Sequence, residues 1–163
     1  MGEEPLGVAN HLGGCALDVF PEEPEHNTKT YPAPLKGVEN VILTPHVGGS
    51  TEEAQFAIAE DVASKIIRFI NNGSTLRSVN FPNVDVTPTA ERHRILNVHK
   101  NVPGVLREIN RIISDLGANI EAQTLATDSD IGYLILETDR SLSLEVKNAI
   151  EGLKQSIKTR ILY

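Results

Sequence analysis

Two short runs hold the residues of this chain best suited to chemistry: Ala16-Leu17-Asp18-Val19-Phe20-Pro21-Glu22-Glu23-Pro24, and Leu43-Thr44-Pro45-His46-Val47-Gly48-Gly49-Ser50-Thr51. Each is an apolar strand that breaks into polar and turn-forming residues. In open α/β sheets, ligands and chemistry gather at the carboxyl ends of the strands. A carboxylate after one strand and a histidine after another could meet there as an acid/base pair, the carboxylate orienting the imidazole and keeping it protonable near neutral pH. The plainer readings stand beside this one: His46 as a histidine bonded locally in a turn, and Glu22 and Glu23 as a solvated acidic turn. Gly48 and Gly49 favour close approach of backbone or ligand at a helix start. Asp18 is a carboxylate inside an apolar strand, which is costly unless paired or hydrogen-bonded.

A second candidate group is His99, Asn101 and Asn119. The first two lead into Val102-Pro103-Gly104 at a strand-to-helix junction, and Asn119 opens a later strand. Three such side chains converging at one sheet end could hold a small polar ligand, although Asn119 after Gly117 also suits a simple turn. The five histidines have no metal-ligand spacing and no cysteine partners, so no metal site is expected. No G-x-G-x-x-G occurs, so the phosphate-cradling turn of a dinucleotide fold is missing.

The elements that must position these residues follow from periodicity. Cys15–Phe20 and Val41–Leu43 read as buried strands joined by a proline-rich loop. Ser50 and Glu53 have the spacing of a capping box. The helix they open carries a stripe of Ala54, Ile58, Val62, Ile66 and Ile70, expected to be buried, and stops at Asn72-Gly73. Ser74 to about Glu91 shows no sustained period and reads as a linker. Beyond Arg92 the order is strand (Ile95, Leu96, Val98), helix (Pro103 to Gly117), alternating strand (Ala118–Ala126), turn, strand (Ile131–Leu136), helix (Leu142–Leu153) and strand (Ile157–Tyr163). In the third element Ile120, Ala122 and Thr124 should face inward. This βαββαβ order is the ferredoxin-like arrangement.

Composition narrows the function. Over 163 residues the net charge is −7 and aromatics make up 4% with no Trp, which disfavours a nucleic-acid partner. No apolar stretch approaches ~20 residues, so no membrane partner is expected. The single Cys15 excludes an internal disulfide and fits a cytoplasmic protein. The acidic start Met1-Gly2-Glu3-Glu4 lacks the basic opening of a signal peptide.

Taken in order, the two opening runs, Asn72-Gly73-Ser74-Thr75, Val79-Asn80-Phe81-Pro82, Pro103-Gly104-Val105-Leu106 and the ending Arg160-Ile161-Leu162-Tyr163 closely resemble the C-terminal part of the phosphoglycerate dehydrogenase family of NAD-dependent D-2-hydroxyacid dehydrogenases. The resemblance runs from about Leu12 to Tyr163. It implies an α/β chain: an incomplete C-terminal piece of a Rossmann-type and substrate domain pair, then a ferredoxin-like ACT domain. The implied parts are 1–50 (dinucleotide-binding remnant), 51–91 (substrate-domain helix and linker) and 92–163 (ACT regulatory domain). His46 would be the acid/base at the substrate 2-hydroxyl, with Glu23 paired to it. Asp18, His46, Val47, Gly48 and Gly49 would lie along the nicotinamide of NAD. The resemblance further implies 3-phosphoglycerate as substrate of the whole enzyme, a place at the start of serine biosynthesis, and homo-oligomers formed through ACT domains. His99, Asn101 and Asn119 match the positions that hold the effector L-serine, with Lys100 and Val102 standing where the bacterial pattern has an acidic residue and an arginine. The family's catalytic arginine and glycine-rich loop lie upstream of anything present, so the chain alone is expected to be inactive. The alternative is a non-catalytic ACT-type module for amino-acid binding or oligomerisation.

Overall fold

The computed structural model describes residues 12–26, 28–33, 35–87 and 92–163. Expectations for the acidic start, Pro34 and the last part of the linker lie outside the described residues. The chain divides into two compact units, Met1–Asp61 and Val62–Tyr163.

In the first unit β1 (Cys15–Leu17) and β2 (Val41–Leu43) pair in parallel, Cys15 opposite Val41 and Leu17 opposite Leu43. The strand expected through Phe20 stops at Leu17. Beyond it Asp18 accepts hydrogen bonds from the Thr44–Gly48 segment, and the backbone bends instead of extending.

Helix α1 (Glu52–Asn72) starts one residue later than the proposed capping box. Thr51 Oγ1, not Ser50, accepts from the N–H of Ala54 (3.2 Å), while Ser50 Oγ donates to the His46 carbonyl (3.3 Å). The expected burial of its stripe is also corrected: Ile58, Val62, Ile66 and Ile70 are all exposed, and Ala54 is only half-buried. A period of four reports an amphipathic helix, not what covers it, and α1 has no extensive contact with any other described helix or strand.

The second unit contains β3 (His93–Lys100), α2 (Val105–Asp115), β4 (Ile120–Thr127), β5 (Ile131–Thr138), α3 (Ser143–Glu151) and β6 (Ser156–Leu162). The strands form one antiparallel sheet in the order β4-β5-β3-β6. Alternation along β3 and β5 sorts their side chains to two faces. Ile95, Leu134 and Leu136 join Val105, Ile109 and Ile113 of α2, and Val146 and Ile150 of α3, in the main core.

On the opposite face Leu96, Tyr133 and Ile135 pack with Val84, Phe81 and Val86. The segment read as a linker therefore crosses the sheet as a strap. Its order comes from hydrogen bonds that hydropathy periods do not report: Thr75 N–H to the Val84 carbonyl (2.8 Å) and Val84 N–H to Thr75 Oγ1 (2.8 Å). With both faces covered, β5 is buried at every residue but its first.

The alternation expected in β4 fails for a definable reason. Ile120 pairs with Thr138 but Ala122 with Glu137, so one extra residue is accommodated between them. After this bulge the faces exchange: Gln123 Nε2 reaches Asn110 Oδ1 of α2 (3.1 Å), while Ala126 packs on the strap side. Ala122 and Thr124 are exposed on an edge strand.

Candidate functional site

The first site is built by the β1 and β2 ends. Pro21 and Pro24 bracket a turn in which Glu22 adopts φ 61°, a left-handed conformation uncommon for a residue with a Cβ. The turn brings Glu23 back on itself, so that its Oε1 accepts from the Phe20 N–H (2.7 Å). Tyr31 braces the loop from outside, its ring 5.7 Å from that of Phe20 and its hydroxyl donating to the Pro21 carbonyl (2.8 Å). After β2, His46 is itself left-handed at φ 52°. Asp18 holds that turn: Oδ1 accepts from Thr44 Oγ1 (2.6 Å) and the Val47 N–H (2.9 Å), and Oδ2 from the Gly48 N–H (2.8 Å). A Cβ on Gly48 would come within 2.9 Å of Asp18 Oδ2, so the close approach requires glycine here.

These supports bring His46 Nδ1 to 2.5 Å from Glu23 Oε2. The hydrogen bond to Glu23, then its charge, raises the His46 pKa above the ordinary histidine value. The reciprocal bond to His46, then the Phe20 N–H, lowers that of Glu23. Thr44 first, then the Gly48 and Val47 amides, lower that of Asp18. With Nδ1 engaged, His46 Nε2 is the nitrogen left for a substrate. The His46 side chain is 55% exposed and lines a pocket of about 530 Å³ with Glu23, Phe20, Tyr31 and His26. Of the residues expected along a nicotinamide, Asp18, Val47 and Gly48 bond to one another, and the Gly49 carbonyl accepts from the Gln55 side-chain amide.

The second site sits at the end of β3. His99 is 3% exposed, its Nδ1 2.9 Å from Asn97 Oδ1, and burial lowers its pKa. Asn101 follows at the surface, its Nδ2 donating to the Asp128 carbonyl (2.6 Å). Asn119 does not join them within one copy. His99 is level with Gly132 at the start of β5, whereas Asn119 precedes Ile120, which is level with Thr138 at the far end. Strand direction is the reason: β4 and β3 both run antiparallel to β5 between them, so the first residue of β4 is level with the first residue of β3.

Asn97 is a polar side chain inside the apolar run Ile95-Leu96-Asn97-Val98, here 1% exposed, and the cost that applies to Asp18 applies to it, although it leaves no periodic mark. Tyr133, Arg94 and Arg160, which no motif singles out, take up the carbonyls at the end of α1. Arg160 donates to Ile70 O (2.6 Å), Arg94 to Asn72 O (2.7 Å) and Tyr133 to Gly73 O (2.7 Å).

Residues 93–162, two helices on one face of a four-stranded antiparallel sheet in βαββαβ order, have the ferredoxin-like fold. A family model described as the AHAS small subunit-like ACT domain matches residues 95–158. Over nearly its whole length the chain is similar to D-3-phosphoglycerate dehydrogenases. That of Dictyostelium discoideum is 50% identical over 155 residues, covering 95% of this chain and 38% of the relative. That of Escherichia coli strain K12 is 43% identical over 158 residues, covering 96% and 38%. The chain thus spans well under half the length of the curated relatives it matches. Among solved structures, the ACT domain from GTP pyrophosphokinase of Chlorobium tepidum aligns with TM-score 0.40 and 17% identity, covering 45% of this chain and 100% of that one. Among the described residues no helix is long and apolar enough to cross a membrane.

Proposed function

We propose that this chain serves as the C-terminal part of a phosphoglycerate dehydrogenase, in which His46 is the acid/base for oxidation of 3-phosphoglycerate and the ACT domain binds an amino acid that regulates the enzyme. The observation that carries the reading is the His46–Glu23 pair at the carboxyl ends of two parallel strands, open to a pocket. Glu23 accepts Nδ1–H, so Nε2 can take the proton of the 2-hydroxyl as the alcohol becomes a ketone, and the carboxylate stabilises the resulting imidazolium. In the longer enzyme a bound NAD would supply the hydride acceptor that this oxidation needs. The residues of this chain do not by themselves fit a dinucleotide: there is no glycine-rich phosphate turn, and both Asp18 oxygens are engaged by the His46 loop. The isolated chain is therefore read as inactive. The exposed stripe on α1 supports a role within a longer polypeptide, since a periodic apolar face exposed to water is usually an interaction surface.

L-Serine is the proposed effector, held between two copies paired through the exposed β4 edge. Antiparallel pairing of β4 with its copy would set the first residue of one strand level with the last of the other. That places Asn119 of one copy at the level of His99 and Asn101 of its partner.

The test of the catalytic reading is a chimera in which this chain replaces the matching part of the Dictyostelium discoideum relative. NAD-dependent oxidation of 3-phosphoglycerate that His46→Ala abolishes is expected. A folded chimera without activity, or one indifferent to that substitution, refutes it.

A further inference from the structure

Asn97 and His99 are two apart on β3 and so share one face of the sheet. Both are buried, and between them and β6 runs a closed polar network. Asn97 Nδ2 donates to Ser156 Oγ (2.9 Å) and Thr159 Oγ1 (2.9 Å), and lies 3.5 Å from the Lys158 carbonyl. The two hydroxyls could face either end of an amide, but a carbonyl only accepts, so the NH₂ group is the one turned toward β6. The Asn97 oxygen is then the atom 2.9 Å from His99 Nδ1, and Nδ1 must carry a proton to bond it.

We propose that Asn97 holds His99 as the Nδ1-protonated neutral imidazole, so that Nε2 accepts a hydrogen bond from the ammonium of the bound amino acid and does not hold its carboxylate. This rests on the reading of His99 as an effector residue given above. The neutral form is consistent with burial, which disfavours the imidazolium. A Cβ at position 132 would collide with Nε2, so the ring lies against the backbone of β5 and needs glycine there. No buried side-chain polar atom among the described residues lacks a partner, so Nε2, with no bond of its own, is not sealed away. Asn97 is thus a positioning residue: it acts on specificity through the tautomer of its neighbour.

Long-range proton–nitrogen correlation spectra of the 163-residue chain at neutral pH read the tautomer with no ligand present. A proton on Nδ1 and a bare Nε2 are expected; a proton on Nε2 overturns the inference. Asn97→Asp supplies the second arm. Its carboxylate still accepts from Nδ1–H, and the Ser156 and Thr159 hydroxyls can turn to donate to it, although the second oxygen then faces the Lys158 carbonyl. The added charge draws a second proton onto the ring, which turns Nε2 into a donor. Calorimetric affinity for L-serine is expected to fall about tenfold or more. An unchanged affinity in the folded variant overturns the inference. If the wild-type chain has the Nδ1-protonated ring yet gives no heat with serine, the effector reading fails, and with it the ligand half of this inference, while the tautomer stands.

Discussion

Glu23 Oε2 lies 2.5 Å from His46 Nδ1 while Glu23 Oε1 accepts from the Phe20 N–H, so one carboxylate fixes both the ring and the turn that carries the carboxylate. The electrostatic consequence is measurable. The His46 pKa is raised and that of Glu23 lowered, each chiefly by the bond to the other. For the histidine, the stabilisation is fully present below its unfolded pKa and is lost as pH rises through the raised folded value. For the glutamate, it is present above the unfolded pKa and is lost as pH falls through the lowered value. The pair therefore supports its unit from the carboxylate range up to the raised histidine pKa. Proton NMR titration of His46 should give a pKa above about 6.5, returning toward it in Glu23→Gln. Equal values in the two proteins would show that the pair does not form in solution.

Asp18 should act on the same site without touching the ring. Asp18→Ala removes the acceptor for the Val47 and Gly48 amides and for the Thr44 hydroxyl. Those two amides are expected to exchange with solvent about tenfold faster or more, as local opening becomes easier. The β5 amides serve as the internal control and should be unaffected. Unchanged exchange at Val47 and Gly48 would remove Asp18 from its role as the anchor of the turn.

At the other end of α1 the prediction concerns packing. Gly73 has φ 80°, and a Cβ there would fall 2.6 Å from Leu96 Cδ2 and 3.0 Å from the Tyr133 hydroxyl. Gly73→Ala combines backbone strain with overpacking and should cost about 2 kcal/mol or more. Tyr133→Phe loses only the bond to the Gly73 carbonyl and should cost about 1 kcal/mol. Denaturant unfolding would check both. A Gly73→Ala chain as stable as wild type would mean that the strap does not lie on the sheet as described.

Much of this molecule is written locally in the sequence, and what was misread follows a pattern. Most of the second unit was legible because its helices and inner strands show their own periods: Val105, Ile109 and Ile113 mark α2, and the Gly117 stop falls where the helix ends. The His46–Glu23 pairing was legible only by joining the loops after two strands, across 23 residues of sequence, with the resemblance choosing Glu23 over Glu22. Three misreadings share one cause, dependence on partners distant in sequence. The strap over Leu96 and Tyr133 is ordered by side-chain to backbone bonds, the α1 stripe faces solvent, and a bulge at Glu121 exchanges the faces of β4. None of these leaves a periodic mark. Asn97 was legible in principle, since an amide amid Ile95, Leu96 and Val98 must find partners.

Hydrogen exchange should separate the two units. β1 and β2 are three residues each and form a two-stranded sheet, which is marginal by itself. The second unit has a four-stranded sheet with β5 buried along nearly its whole length. Amides of β3 and β5 should resist exchange far longer than those of β1 and β2 in the isolated chain. Equal protection would mean that the first unit gains a partner, for instance by association of copies.

The position of Asn119 permits a test of the shared effector site that binding to one variant alone does not offer. In one copy Asn119 lies at the far end of the sheet from Asn101, so a site that uses both must draw them from two copies. In a pair of Asn119→Ala chains each of the two sites lacks one asparagine, and the same holds for a pair of Asn101→Ala chains. A mixed pair is different: one site receives both substitutions and the other receives none. If an equal mixture re-pairs at random, about half the pairs are mixed and each offers one intact site, so roughly a quarter of wild-type capacity for L-serine should return. Calorimetry on each variant alone, then on the mixture after dissociation and re-pairing, reads this directly. Return of binding on mixing requires a site shared between copies. Weak binding in both variants with no return after verified exchange would show that the asparagines serve one copy each, and the effector site would have to be redrawn within a single ACT domain.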